Sequence, residues 1–367
     1  MKTARDKILH YLLVPPSWLY GFATGVRNWL FDAKILKEEE YPVPVVGVGN
    51  LTVGGTGKTP HVEYIVNNLS SDYKLAVLSR GYKRKTRGFV LANSKSTPRL
   101  IGDEPYQIYQ KFGRNVIVAV CESRRQGIKE LLSMFPDLQL IVLDDSFQHR
   151  WVKPKVSILL TDYNRPFYKD KLLPLGRLRE SPMQVNRADM VVVTKCPDDM
   201  MPINYRIALK DLNLMTFQKL FFSRYVTGSL VPVFQDDAPY NVSLGELSSS
   251  DGVLLLTGIA HPRHFVRQFR NYPFNVKVFH FPDHHDYTRK DIDKIVEKFN
   301  NLKGVHKIIV TTEKDAVRLM HNPYFPKKLK PFIFYLPITV KMINVIDDTD
   351  FIESLKGAIE SKEIIQH

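Results

Sequence analysis

Thiols are almost absent from this 367-residue chain, which has two cysteines, Cys121 and Cys196, far apart and outside any C-x-x-C pair. That excludes a structural zinc site built on thiolates and points to a reducing compartment. Acid is in deficit: 38 Asp and Glu stand against 52 Lys and Arg, a formal net charge of +14. Such an imbalance favours anionic partners (nucleic acid, acidic lipid or phosphorylated substrates) without choosing among them. Charge of either sign is missing from Ile8 to Val26. About 20 apolar residues span a bilayer, but this run holds His10, Pro15, Pro16, Ser17 and Thr24. Two adjacent prolines are expected to block a continuous helix there. A cleavable signal peptide fits poorly, since no small-residue cleavage site follows a compact apolar core. Repeats and low-complexity tracts are also absent.

What the N-terminus does contain is aromatic. Trp18, Leu19, Tyr20, Phe22, Trp29, Leu30 and Phe31 supply anchors, and Arg27 supplies charge. Trp and Tyr suit the headgroup level of a membrane, so residues 1–35 read as an interfacial helical segment. The competing readings are a helix packed on its own domain and a dimer contact.

From Pro44 onward the pattern is α/β. Near-continuous apolar runs of strand length recur at Val45–Val48, Leu75–Leu78, Val116–Val120, Leu140–Leu143, Val156–Leu160 and Met190–Val193. Helical stretches such as His61–Leu69 and Arg124–Met134 lie between them. This alternation predicts a mostly parallel sheet covered on both faces. The rhythm breaks around Tyr205–Pro239, where a linker is expected, and resumes with Val253–Thr257, Val276–Phe281, Lys307–Thr311 and Phe332–Leu336. The expected division is 1–35, a first domain at 36–225 and a smaller one at 226–360.

The sharpest local signal is the run Gly49-Asn50-Leu51-Thr52-Val53-Gly54-Gly55-Thr56-Gly57-Lys58-Thr59-Pro60 between a strand and a helix. Glycines let backbone amides wrap phosphates, and the helix N-terminus adds positive potential. Thr52, Val53, Gly54, Gly55, Thr56, Gly57, Lys58 and Thr59 form the candidate loop. Lys58 can neutralise the β- and γ-phosphates of a nucleotide and the Thr59 hydroxyl can ligate Mg²⁺. The strict pattern asks for glycine at position 52, where this chain has threonine. The partner element is Leu140-Ile141-Val142-Leu143-Asp144-Asp145, an apolar strand ending in two carboxylates that can hold the cation.

Two phosphate-loop classes fit badly. A GTPase follows its switch aspartate with two residues and then glycine, but Phe147 and Gln148 hold that place after Asp144 and Asp145, and Thr194-Lys195-Cys196-Pro197-Asp198 sets its Asp one place too far for guanine reading. Partitioning-type ATPases put lysine before Gly-Gly, where this chain has Val53.

Further strings point elsewhere: Ser79-Arg80-Gly81-Tyr82, Gly102-Asp103-Glu104-Pro105, Asp144-Asp145-Ser146-Phe147-Gln148-His149, Leu173-Pro174-Leu175-Gly176-Arg177-Leu178-Arg179-Glu180, Thr257-Gly258-Ile259-Ala260, Asp283-His284-His285 and Thr311-Thr312-Glu313-Lys314-Asp315. With the phosphate loop, their order and spacing resemble the tetraacyldisaccharide 4′-kinase (lipid A 4′-kinase) family from about Pro15 to Leu336. Two small departures are Ser146, where that family usually has Gly, and His261, where Asn is common.

The resemblance implies two α/β/α domains, the first of phosphate-loop NTPase type, with an N-terminal helix that contacts the membrane. It implies ATP with Mg²⁺ as cofactors and phosphorylation of the 4′-hydroxyl of a tetraacylated disaccharide 1-phosphate, a lipid A precursor. The location implied is peripheral, on the cytoplasmic face of the bacterial inner membrane. Asp103, a helix cap on residues alone, becomes the group acting on the acceptor hydroxyl, and His284, favoured over His285, its support from the second domain. Lys58 joins them as catalytic. Thr59, Asp144 and Asp145 are the expected metal residues. Glu104, Gln148, Arg177, Arg179 and Glu180 are the expected acceptor-site residues. Eight basic and no acidic residues lie between Tyr73 and Gly102, which suits anionic headgroups or the 1-phosphate better than nucleic acid, for which no recognised module exists. The alternative is a membrane-associated nucleotide switch, an ATPase or GTPase, which needs no Asp103–His284 arrangement.

Overall fold

The computed structural model describes residues 4–238, 240–259, 262–283, 285–343 and 350–361. In chain order the elements are α1 (Ala4–Asp32), β1 (Val45–Gly49), α2 (Lys58–Leu69), β2 (Leu75–Ser79), β3 (Val90–Leu91), α3 (Pro98–Ile101), α4 (Asp103–Phe112), β4 (Ile117–Val120), α5 (Arg124–Met134), β5 (Leu140–Asp144), β6 (Val156–Asp162) and β7 (Met190–Thr194). There follow α6 (Pro202–Leu212), β8 (Lys219–Thr227), β9 (Val231–Pro232), β10 (Gly252–Thr257), α7 (Arg263–Arg267), β11 (Asn275–His280), α8 (Arg289–Asn300), β12 (Lys307–Thr312), α9 (Glu313–Met320), β13 (Ile333–Leu336), β14 (Ile338–Ile343) and α10 (Phe351–Glu360).

Among the described residues the strands form two sheets. The larger has the order β14-β8-β7-β6-β1-β5-β2-β4-β3 and the smaller β11-β10-β12-β13-β9. Pairing is parallel except at β14–β8, β3–β4 and β13–β9. The fully buried apolar strands β1, β2, β5 and β7 sit mid-sheet, where helices cover both faces. One face of the larger sheet packs on α2, α4 and α10 through Val62, Ile65, Ile108 and Leu355. The other face meets α5 through Ile128 and Leu131. The smaller sheet is likewise covered, by α8 and α9 on one face and by Phe265 and Phe269 on the other. This mixed α/β architecture with a large, mostly parallel sheet is the expected fold class.

Three local features depart from expectation. The stretch around Tyr205–Pro239, read as a linker, contains α6 and β8, and β8 extends the larger sheet in parallel with β7. β8 mixes buried Phe222 and Ser223 with exposed positions, so it lacks the continuous apolar run by which the other strands announced themselves. The chain after Leu336, expected to belong with the smaller 226–360 division, returns to the larger sheet. β14 pairs antiparallel with β8, and Phe351, Ile352, Leu355 and Ile359 of α10 enter the first core.

The third is α1, a 29-residue helix that runs through Pro15 and Pro16. Each proline forfeits one amide hydrogen bond, but docking compensates. Ser17 Oγ donates to the Leu172 carbonyl at 3.0 Å and Tyr20 Oη to the Arg179 carbonyl at 2.9 Å. Arg27 pairs with Glu180 at 2.5 Å, and Arg150 Nη1 donates to the Asn28 carbonyl at 3.0 Å. Phe31 packs edge-on against Trp151. Trp18, Leu19, Phe22 and Trp29 stay exposed at 60–74%. No helix among the described residues is long and apolar enough to cross a membrane.

Leu355 is fully buried in the first core. Leu355→Ala is therefore expected to lower stability by about 2–5 kcal/mol, read as a lower urea midpoint at unchanged m-value. An unshifted midpoint would contradict the seating of α10 on the larger sheet.

Candidate active site

The chemistry-bearing segments leave the C-terminal ends of three adjacent strands, β1, β5 and β2, where open parallel sheets hold their ligands. After β1 the chain forms the glycine-rich loop and enters α2 at Lys58. Gly57 sits at the helix start with φ 93°, and a Cβ there would lie 2.1 Å from Tyr225 Oη. Thr52, the departure from the strict pattern, lies in an antiparallel bridge to Leu178. Val53 N–H donates to the Arg177 carbonyl and Arg179 N–H to the Leu51 carbonyl, both at 2.7 Å. A strand-like pairing at position 52 makes no demand for glycine.

The loop's charges are cross-linked. Lys58 Nζ lies 3.3 Å from Asn50 Oδ1 and 3.4 Å from Asp145 Oδ1. Arg179 reaches the same groups, donating to Asn50 Oδ1 and, at 2.8 Å, to Asp145 Oδ1. Asn50 closes the ring by donating to Thr56 Oγ1 at 2.7 Å. The neighbouring carboxylates diverge. Burial and then the charge of Asp145 push Asp144 up to about 6. Burial also pushes Asp145 up, but Lys58 and Arg179 outweigh it and hold that carboxyl well below its usual range. Ser79 Oγ donates to Asp144 Oδ2 at 3.0 Å.

Several supports went unread in the sequence. Arg124, buried at the start of α5, donates to the Cys121 and Asp144 carbonyls at 2.8 and 3.0 Å. Thr194 Oγ1 donates to the Thr56 carbonyl at 2.8 Å, and Lys195 bonds the Gly55 carbonyl and pairs with Asp162. The Thr-Lys pair that mimicked a base reader thus braces the phosphate loop. His61 bridges the Gly57 carbonyl (2.7 Å) and Ser223 Oγ (2.9 Å), and burial pushes it down to about 4, so it is neutral. An arginine opening a helix just after a strand was the one available sign for Arg124.

Asp103 opens α4. The cap position belongs to Gly102, and Asp103 Oδ2 accepts from Arg318 Nε and Nη2 of α9 at 3.0 and 2.5 Å. Gly102 packs on Gly81, where a Cβ would lie 3.2 Å from the Gly81 Cα, so the Ser79–Tyr82 and Gly102–Pro105 motifs touch backbone to backbone. Glu104 pairs with Lys314, which also meets Asp283. The remaining second-domain motifs converge on Asp315, which accepts from Gly258 N–H at 2.8 Å, Thr312 Oγ1 at 2.6 Å and Tyr287 Oη at 3.3 Å.

His284 lies outside the described residues. His285 Nε2 is 3.0 Å from Asp291 Oδ2, and its ring stacks on Phe281. Gln148 Nε2 donates to the Asn50 carbonyl at 2.8 Å, beside the loop. Glu180, expected at the acceptor site, has a side chain that is 1% exposed and held between Arg27 and Arg187; the two arginines satisfy a carboxylate that would otherwise be buried unpaired. Arg177 contributes its backbone to the loop bridge. A basic hollow of about 390 Å³ is lined by Arg80, Tyr82, Lys83, Arg84, Lys85 and Arg87, with Glu122 at its wall.

Against known proteins, the family model for tetraacyldisaccharide-1-P 4′-kinase matches residues 9–360. The chain belongs to the tetraacyldisaccharide-1-P 4′-kinase family. A tetraacyldisaccharide 4′-kinase of Bacteroides thetaiotaomicron is 50% identical over 343 residues, 92% of this chain and 90% of the relative. One from Porphyromonas gingivalis is 44% identical over 357 residues, 96% and 98% of the two chains. A crystal structure described as the "apo" form of LpxK from Aquifex aeolicus in complex with ATP shares 30% identity, covers 96% of this chain and 98% of its own, and gives a TM-score of 0.71.

In this member of the 4′-kinase family the donor set suits a hard cation. Asp144 Oδ1 is buried with no hydrogen-bond partner among the described residues, an acceptor that a cation would satisfy. No group of three or more His, Cys, Asp or Glu able to hold a metal is present among the described residues, so the Thr59 hydroxyl, phosphate oxygens and water would complete the shell, as Mg²⁺ prefers. Gly57→Ala tests the loop: a left-handed alanine costs about 1–2 kcal/mol, and the new methyl would also displace Tyr225. The expected result is a lower melting temperature and loss of its rise with Mg-ATP; an unchanged rise would show that the loop tolerates a side chain there.

Proposed function

We propose that this chain transfers the γ-phosphoryl group of ATP to the 4′-hydroxyl of a tetraacyldisaccharide 1-phosphate in lipid A biosynthesis. The observation that carries the reading is the pairing of a cross-linked phosphate loop with Asp103, a carboxylate on the neighbouring helix held from the smaller domain. The loop from Thr52 to Thr59 wraps the phosphates, and Lys58 exchanges Asp145 for the transferring group. Asp144, Asp145 and Thr59 would hold Mg²⁺, which when bound neutralises charge on the phosphates. As the acceptor oxygen bonds to the γ-phosphorus, its proton passes to Asp103 and the bond to the β-phosphate oxygen breaks, releasing ADP. Glu104, Gln148, Arg177 and Arg179 border the acceptor's path. His284 is the proposed second-domain support for Asp103.

The exposed apolar stripe of α1 sits in the headgroup layer of the cytoplasmic face of the bacterial inner membrane. The basic hollow at Arg80–Arg87 attracts anionic headgroups or the acceptor's 1-phosphate. A nucleotide switch would need neither Asp103 nor an acceptor route. Incubation with Mg-ATP and the disaccharide, followed by mass spectrometry, separates the two: phosphorylated lipid supports the kinase, and GTP hydrolysis without lipid product supports the switch.

Lys58→Ala and Thr59→Ala are expected to cripple turnover in folded protein, and Asp103→Ala to lower kcat by about 10²–10⁴ while ATP still binds. Near-parental kcat in Asp103→Ala would remove it as the base. The combined change Trp18→Ser, Phe22→Ser and Trp29→Ser is expected to cut flotation with anionic vesicles by about tenfold or more and to raise KM for the lipid far more than for ATP. Unaltered flotation would exclude α1 as the anchor.

A further inference from the structure

α4 and α9 cover different sheets and pack against each other, fastened by charge. At the start of α4 Asp103 meets Arg318 and Glu104 meets Lys314. Near its end, Lys111 Nζ lies 2.5 Å from Glu313 and 2.7 Å from Glu63 of α2, the phosphate-loop helix. Burial pushes both of these carboxyls up, and Lys111 between them pulls them back. Beside these pairs Val317 packs with Ile101 and Tyr106, and Tyr106 Oη bonds His321 Nε2 at 2.7 Å. Arg318 is fixed by a third bond, from Nη1 to the His285 carbonyl at 2.6 Å. Its planar fork is therefore aimed before it meets Asp103.

We propose that Arg318 is a positioning residue for phosphoryl transfer: from the smaller domain it grips Oδ2 of Asp103, fixes the direction of the carboxylate and makes seating of that domain a condition for an aimed base. The inference rests on the reading of Asp103 as proton acceptor. Two bonds to one oxygen prevent rotation of the carboxylate, and a cation beside it favours the ionised form that can take a proton. Among the described residues the other charged and titratable groups nearby include Glu104 on α4, Lys314 and Asp315 on α9, His321 just after it, and Asp283 and His285 on the loop before α8. These keep their own partners in an Arg318 variant.

The test compares Arg318→Gln, Arg318→Lys and Asp103→Asn in the full chain with Mg-ATP and the tetraacyldisaccharide acceptor. Misplacing a reacting group by about 1 Å costs up to about 10²-fold, so Arg318→Gln should lower kcat by about 10- to 10²-fold, leave KM for ATP within about threefold and move the acid limb of kcat to higher pH. Arg318→Lys, which keeps the charge but not the fork, should recover part of the loss and return the limb. Parental kcat and pH profile in Arg318→Gln overturn the proposal, as does a loss shared equally by Gln and Lys that follows melting temperature with no movement of the limb. Should the Gln variant fail to fold, parental kinetics in Arg318→Lys overturn it alone. If Asp103→Asn keeps its turnover, the reading of Asp103 fails; if that variant is inactive while Arg318→Gln is unimpaired, only the role of Arg318 fails.

Discussion

The site depends on how two consecutive carboxylates at the end of β5 are kept from repelling each other. Asp144 is buried and pushed up to about 6, whereas Asp145 lies between Lys58 and Arg179 and is held ionised. Everything near them answers to that division. Asp145 adopts φ 51°, which turns it away from its neighbour and toward the cations of the loop. Arg179 bonds Asn50, Asn50 bonds Thr56, and Lys58 leans on both Asn50 and Asp145. The positive charge of the loop is thus balanced internally, and an arriving polyphosphate exchanges one anionic partner for another instead of meeting an uncompensated lysine.

The elements around the smaller sheet extend this arrangement. The Thr311–Asp315, Gly258 and Tyr287 elements are tied together through Asp315 and together aim α9 at α4. Motifs far apart in the chain serve one orientation, which is why Arg318, in none of the quoted strings, ends beside Asp103.

Much of this was legible. Central strands declared themselves as unbroken apolar runs, because both of their faces are covered, and helices such as α5 fell on the expected residues. The phosphate loop was legible because its glycines, Lys58 and Thr59 are close in sequence. Elements with one wet face were not: β8 carries exposed Lys219 and Val226 beside buried Phe222, and the return of β14 and α10 to the first sheet depends on contacts across more than a hundred residues. Pro15 and Pro16 misled because their cost is local while the docking that offsets it comes from Leu172, Arg179 and Glu180. The setting of Glu180 was hidden for a similar reason, since nothing in a linear string shows that Arg27 and Arg187 enclose it. Arg124 and Lys195 act through backbone carbonyls, which carry no side-chain signature.

The docking of α1 has a mechanical consequence. At about 1.5 Å per residue the helix is roughly 43 Å long, and it is fastened near its C-terminal half to Arg179 and Glu180. Those residues continue the segment whose backbone bridges Leu51 and Val53 on its opposite edge. Helix and phosphate loop are therefore coupled through one short stretch of backbone: Arg179 accepts from Tyr20 Oη on one side and donates its N–H to the Leu51 carbonyl on the other, so two hydrogen bonds join α1 to the start of the loop.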